Sequence, residues 1–141
     1  MNHRRGLKIT EPNLLPRIAG ALMKPFNSVQ GKQKISESDF LNTIIEYAQL
    51  RGWLCAHFRS VKVQRQDGSV YYQTPVQAEG KGYPDLCLVR GDRLVFAEVK
   101  AISGRVSQEQ KEWLEALTHT GKCEVYVWQP NDWDKVEDIL K

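Results

Sequence analysis

Two carboxylates and a lysine carry the strongest chemical signal in the sequence: Asp85, directly after Pro84, and Glu98 and Lys100 on either side of Val99. Between them, residues 86–89 and 94–99 are near-continuous apolar runs separated by Arg90-Gly91-Asp92-Arg93. Such runs predict central strands covered on both faces. With Gly91-Asp92 as a two-residue turn, Arg90 faces Arg93, Val89 faces Leu94 and Asp85 faces Glu98. Directly opposed residues hold their Cβ atoms roughly 4.5–5.5 Å apart. Two carboxylates that close repel each other unless a cation lies between them. A hard divalent cation with oxygen ligands, Mg2+ or Mn2+, meets that need. Lys100 lies two residues beyond Glu98 and points to the same face. There it can hold an attacking water or stabilise charge building on a phosphate. Metal-assisted phosphodiester hydrolysis needs such a set. Singly, Pro-Asp and Glu-x-Lys are short enough to be a turn aspartate and a surface ion pair. The register that opposes Asp85 to Glu98 is what favours chemistry.

Two helices are predicted to bring further polar groups to this centre. The first opens at Ser36, where Ser36-x-x-Asp39 resembles a capping box, and runs to about Arg51 with Gly52 as its C-cap. Its apolar stripe is Phe40, Leu41, Ile44, Ile45 and Ala48, with Glu37 near the stripe's centre and Asp39 opposite. A carboxylate on the core face needs a partner, and the cation's shell supplies one, directly or through water. The second helix opens at Ser107-x-x-Gln110 and ends near Gly121. Gln110 lies on its apolar stripe beside Trp113, Leu114 and Leu117, where an amide needs a partner. It is expected to orient the Lys100 end of the site or a metal-bound water. The candidate catalytic residues are therefore Glu37, Asp85, Glu98, Lys100 and Gln110. The candidate metal residues are Asp85, Glu98, Glu37 and Val99.

The remaining elements frame that centre. Residues 53–58 read as a strand. Residues 61–66 and 69–74 flank Asp67-Gly68, a two-residue hairpin signal. Residues 75–82 form a loop whose Gly80 and Gly82 are expected to let a nucleic-acid backbone approach Asp85. Residues 124–128 form a last strand, and a short helix falls within 130–140. The order is αβ(ββ)ββαβα, an α/β chain with a mixed sheet and helices against it.

The chain has 141 residues, 41% of them hydrophobic and 26% charged, which suits one domain with a real core. No apolar run approaches the roughly 18 residues of a membrane span. The basic N-terminus has no apolar stretch behind it, so it does not read as a secretory signal, and the cytoplasm is the default compartment. Cys55, Cys87 and Cys123 form no CxxC pair. They read as small buried hydrophobes in a reducing compartment.

Charge is unevenly spread. Residues 1–35 hold seven Lys/Arg and one acid, a net +6 that leaves −3 on residues 36–141 out of the chain's +3. A basic, loosely ordered arm of residues 1–35, followed by a folded domain of residues 36–141, fits a polyanionic partner. Arg4, Arg5 and Lys8 in the arm, with Lys62, Arg65 and Lys81 in the domain, are the residues expected to meet phosphate. Tyr71 and Tyr72 alternate faces of the predicted hairpin, so one of them can reach a nucleic acid. His57 and Arg59, on one face at a strand end, suit either phosphate or structure. Trp53, Trp113, Trp128 and Trp133 are assigned to the core.

Taken together, Gly82-Tyr83-Pro84-Asp85-Leu86, Phe96-Ala97-Glu98-Val99-Lys100 and Ser107-Gln108-Glu109-Gln110, with Trp113 and Gly121, resemble the VRR-NUC (virus-type replication-repair nuclease) domain of the PD-(D/E)xK superfamily. The resemblance spans about residues 36–128. Glu37 matches the family's first-helix acid, Asp85 and Glu98 its metal ligands, Lys100 its lysine and Gln110 its glutamine. It implies a restriction-endonuclease-like core, to which the 61–74 hairpin read from the residues is an addition, and a divalent-cation-dependent DNA nuclease with no small-molecule cofactor. Stand-alone members of this size imply a phage or bacterial protein, a homodimer and Holliday-junction-resolvase-like action. Members fused to other domains, such as the Fanconi-associated nuclease, act on branched or flapped DNA. A chain of 141 residues leaves no room for those domains, so substrate choice is expected from dimerisation, loops or the basic arm. The competing readings are a sequence-specific restriction-type nuclease and a DNA-binding scaffold with a vestigial site. The intact Asp85, Glu98 and Lys100 argue against the scaffold.

Overall fold

Ser36 fixes where the first helix begins. In the computed structural model, which describes residues 35–73 and 75–141, its Oγ accepts a hydrogen bond from Asp39 N at 3.0 Å. That caps α1 (Glu37–Leu50), an interaction worth about 1 kcal/mol. The Asp39 carboxylate, one methylene shorter than glutamate, takes the Ser36 hydroxyl at 2.6 Å. Arg51 is the C-cap, and Gly52 follows it at φ +80, a left-handed conformation that glycine adopts freely. Phe40, Leu41, Ile44 and Ala48 are buried as the stripe predicts, and Tyr47 joins them, while Ile45 is only partly buried.

Four strands build the main sheet: β1 (Leu54–His57), β4 (Leu86–Arg90), β5 (Arg93–Val99) and β6 (Glu124–Trp128), in the order β1-β4-β5-β6. The first three are antiparallel and β6 runs parallel to β5. The parallel step needs a long crossover, and α2 (Gln108–His119) supplies it. Arg90 pairs with Arg93 and Leu86 with Ala97, the register anticipated for a Gly91-Asp92 turn. Gly91 has φ +61, as the first central position of a II′ turn requires.

The second hairpin differs from expectation. β2 (Val61–Gln64) and β3 (Val70–Gln73) pair as a separate two-stranded sheet, with Gln64 opposite Val70. Arg65 N donates to Ser69 O and Gly68 N to Arg65 O. The loop is therefore the three residues Gln66-Asp67-Gly68, with Gly68 at φ +82, and the register shifts by one from a two-residue turn.

One face of the main sheet is sealed. Leu86, Leu88, Val95, Ala97, Val99 and Trp128 pack with α1 and with α3 (Trp133–Leu140), which follows a short 3-10 turn at Pro130–Asp132. Trp53 Nε1 donates to Leu140 O, and Arg90 reaches the carbonyls of Arg51, Leu140 and Lys141. Trp53, Trp128 and Trp133 are core residues, as expected. Trp113 is only half-buried. The other face is incompletely covered, contrary to the apolar-run reading: α2 has no fully buried residue, and Leu54, Val89 and Val127 are exposed. All three cysteines are free and half-buried, not fully buried.

Candidate active site

Asp85 sits one residue before β4, where Pro84 is fully buried and the Asp85 carbonyl accepts from Phe58 N at 2.9 Å. Its Oδ2 accepts the main-chain N–H of Val99 at 2.9 Å. That bond crosses the hairpin at the step where the register of β4 and β5 places Glu98. Glu98 is completely buried, the buried polar or charged residue among the described residues, on the face of β5 opposite Ala97 and Val99.

Two donors converge on one oxygen of Glu98. Lys100 Nζ lies 2.6 Å from Oε1, and Gln110 Nε2 donates to the same atom at 2.5 Å. Gln110 is aimed by the helix start: its Oε1 accepts from Ser107 N while its own N donates to Ser107 Oγ. The capping box that begins α2 thus also fixes the amide that meets Glu98. Lys100, its side chain 13% exposed, is anchored through its main-chain N–H to Trp128 O. Gln110 therefore meets Glu98 on the oxygen that Lys100 also approaches.

Oε2 of Glu98 is buried with no hydrogen-bond partner among the described residues. A buried carboxylate oxygen without a partner is costly. Burial pushes the Glu98 carboxyl up to about 7, with the Lys100 hydrogen bond opposing and the Asp85 charge adding to the rise. Burial also raises the Asp85 carboxyl, against the pull of the Val99 N–H and Lys100 and with a further push from Glu37. Asp85 thus raises Glu98, while Glu98 lowers Asp85 through a shared hydrogen bond; two buried carboxyls coupled in this way are the donor chemistry a hard cation would satisfy.

Glu37 departs from expectation. It is exposed, and its Oε2 accepts from Ala101 N at 3.1 Å. It lies in the first turn of α1, before the first buried residue Phe40, so it reaches the rim of the site and not the core. Among the described residues, no group of three or more His, Cys, Asp or Glu gathers as a metal cluster. The donor set in the interior is the pair Asp85 and Glu98.

Gly82 serves a purpose other than the one anticipated. Its φ is +81, and a Cβ there would lie 2.5 Å from Glu109 C and 2.7 Å from Gln110 N. The glycine lets the loop touch the backbone of α2, which is why it fits beside Gln110. Lys81, expected at phosphate, pairs with Glu109 at the start of α2, and Lys62 and Arg65 are exposed on the hairpin. Arg65 stacks on the Tyr71 ring at 4.7 Å. His57 and Arg59 are exposed. The arm residues Arg4, Arg5 and Lys8 lie outside the described residues.

Sequence patterns missed two supports of the site. Tyr83 meets Phe58, Phe96 and Trp113 edge-on at 5.0, 6.1 and 4.9 Å, a wedge of rings behind Asp85. Trp113 Nε1 donates to Glu79 O at 2.8 Å, tying the loop to α2. The aromatic at position 83, between Gly82 and Pro84, was the available signal. The Val99 N–H that holds Asp85 belongs to the backbone and leaves none.

The family model of the VRR-NUC domain matches residues 35–130. No curated protein and no solved structure matches the chain.

Proposed function

Because the chain belongs to the VRR-NUC family, a group of DNA nucleases with a PD-(D/E)xK-like fold, we propose that it is a Mg2+- or Mn2+-dependent DNA endonuclease directed by DNA structure. The observation that carries the proposal is the buried Glu98 Oε2, unpartnered, in a carboxylate whose other oxygen is held by both Lys100 and Gln110. Asp85 and Glu98 would hold the cation, and Val99, whose side chain is apolar, can add only its main-chain carbonyl. When bound, such an ion supplies Lewis-acid stabilisation of phosphate charge and a more acidic water. Gln110 and the Val99 N–H hold the two carboxylates in place. Lys100 carries the positive charge that can orient an attacking water or stabilise a developing phosphate anion. Glu37 acts from the rim, through water.

Branched or junction DNA in replication, repair or recombination is the proposed substrate. Action as a homodimer in a bacterial or phage-infected cytoplasm follows from the same resemblance. Among the described residues, no helix is long and apolar enough to cross a membrane. A panel of four-way junction, flap, nicked and plain duplex DNA, with Mg2+, Mn2+ or EDTA, tests the proposal. Wild type is expected to cut the branched members only with metal. Glu98→Ala is expected to lose cleavage by 10^3-fold or more, on the order of 4 kcal/mol, while keeping its circular dichroism and its DNA affinity. No cutting of any member by wild type would leave the scaffold reading standing. Preference for a short sequence within plain duplex would favour the restriction-type reading.

A further inference from the structure

Beside Asp85 and Gln110 lies a partly open cavity of about 460 Å³, lined also by the β2–β3 hairpin and the 75–83 loop. Its wall includes Tyr72, Tyr71, Ser60 and Lys81 as well as the two site residues. That volume is within the roughly 300–1,000 Å³ of sites that enclose small organic ligands. One face of the Tyr71 ring is taken by Arg65. The Tyr83 ring, also on the wall, is committed to three aromatic neighbours. Tyr72 is different: it lines the cavity, yet 69% of it is exposed.

We propose that this cavity receives one unpaired nucleobase of the substrate strand, stacked on the ring of Tyr72, while the adjoining phosphate lies at Asp85 and Glu98. The inference rests on the nuclease reading and narrows its substrate to strands with an unpaired or extruded nucleotide beside the cut. Three features on the wall support it. The open aromatic ring suits any base, because every base presents a π face. The cavity is continuous with the carboxylate that faces the reacting phosphate, so a nucleotide bound at the site has its base within reach. Lys81, whose ammonium is shared with Glu109, puts positive charge on the wall, beside the phosphates that flank the base. A duplex base inside its stack cannot enter such a pocket, so occupancy selects frayed, flapped or junction DNA without any sequence preference.

The test measures binding in EDTA, where no turnover is needed. A fluorescein-labelled dT oligonucleotide and an abasic oligonucleotide of equal length carry the same phosphates, so general electrostatic attraction cancels between them. Wild type is expected to prefer dT by about tenfold, the scale of one base stacked on an aromatic side chain. Tyr72→Ala should erase that preference and leave abasic binding unchanged, and Tyr72→Phe should keep it. Equal binding of dT and abasic strands by wild type overturns the proposal. So does an equal loss on both strands in Tyr72→Ala, or loss of the dT preference in Tyr72→Phe. A dT preference that depends on Tyr72 in a protein that cuts none of the DNA panel would keep the subsite and discard the nuclease reading. Normal cutting with no dependence on Tyr72 in either assay would do the reverse.

Discussion

At Glu98 a single carboxylate is asked to be buried, to accept two donors on one oxygen and to leave the other oxygen bare. The cost shows in its protonation. Folded Glu98 keeps its proton to about pH 7, whereas the ordinary value is 4.5. Between those values the folded state binds a proton that the unfolded state has released. Its contribution to stability is full below about 4.5, declines as pH rises toward about 7, and is lost above that. The metal-free protein should therefore lose stability on the order of 2 kcal/mol across this window. Urea unfolding in EDTA between about pH 4.5 and 8 reads it directly. Glu98→Gln should flatten most of the slope, since the residual dependence then comes from Asp85, whose carboxyl burial also raises. Identical slopes in wild type and variant would show that Glu98 ionises normally and that its bare oxygen imposes no cost.

At the scale of elements, the site depends on α2 meeting the 75–83 loop. Gly82 permits that contact, Trp113 fastens it through Glu79 O, and the capping box of α2 aims Gln110. Gly82→Ala places a methyl 2.5 Å from Glu109 C at a φ of +81, so the strain cannot be relieved by a side chain turning aside. The loop and the helix start must separate, at about 2 kcal/mol or more of stability, and Gln110 moves off Glu98. Cleavage should fall more than stability explains: at a temperature where the variant is fully folded, kcat should still be reduced about tenfold or more. A variant with normal kcat would show that Gln110 does not depend on this contact. The same elements show what was legible in the sequence. The β4–β5 register followed from reading Gly91-Asp92 as a two-residue turn, and it placed Asp85 and Glu98 at the same step of the hairpin. Asp67-Gly68 signals a turn but fits both a two-residue loop and a three-residue loop with Gly68 left-handed, so the second register was ambiguous. Glu37 is exposed where the stripe predicted a core-facing carboxylate. Helical periodicity gives the face of a residue but not how deeply that end of the helix is covered, and Glu37 meets the chain at Ala101 N.

For the whole molecule, charge sets how DNA is gathered, and the site sets where it is cut. Residues 36–141 carry a net −3, so the domain holding Asp85 and Glu98 has no general attraction for a polyanion. Its 13 Lys/Arg are outnumbered by 16 acids, and Lys100 is engaged on Glu98 and Lys81 on Glu109. Residues 1–30 contain Arg4, Arg5, Lys8, Arg17 and Lys24 against the single acid Glu11. If DNA affinity comes from that stretch, it comes by release of counterions, and the logarithm of the binding constant falls with log salt by about 0.9 for each phosphate neutralised. Removing residues 1–30 should therefore weaken binding to plain duplex and reduce the slope by up to about 4. The abasic-versus-dT preference at Tyr72, which compares strands of equal charge, should stay unchanged. Fluorescence anisotropy in EDTA across a salt series measures both quantities on one protein. An unchanged slope would assign duplex attraction to the domain itself, with Lys62 and Arg65 on the exposed hairpin as the next residues to neutralise. A reduced slope with the base preference intact would separate the two functions physically: an arm that concentrates any DNA, and a pocket beside Asp85 that accepts only DNA with a base free to enter.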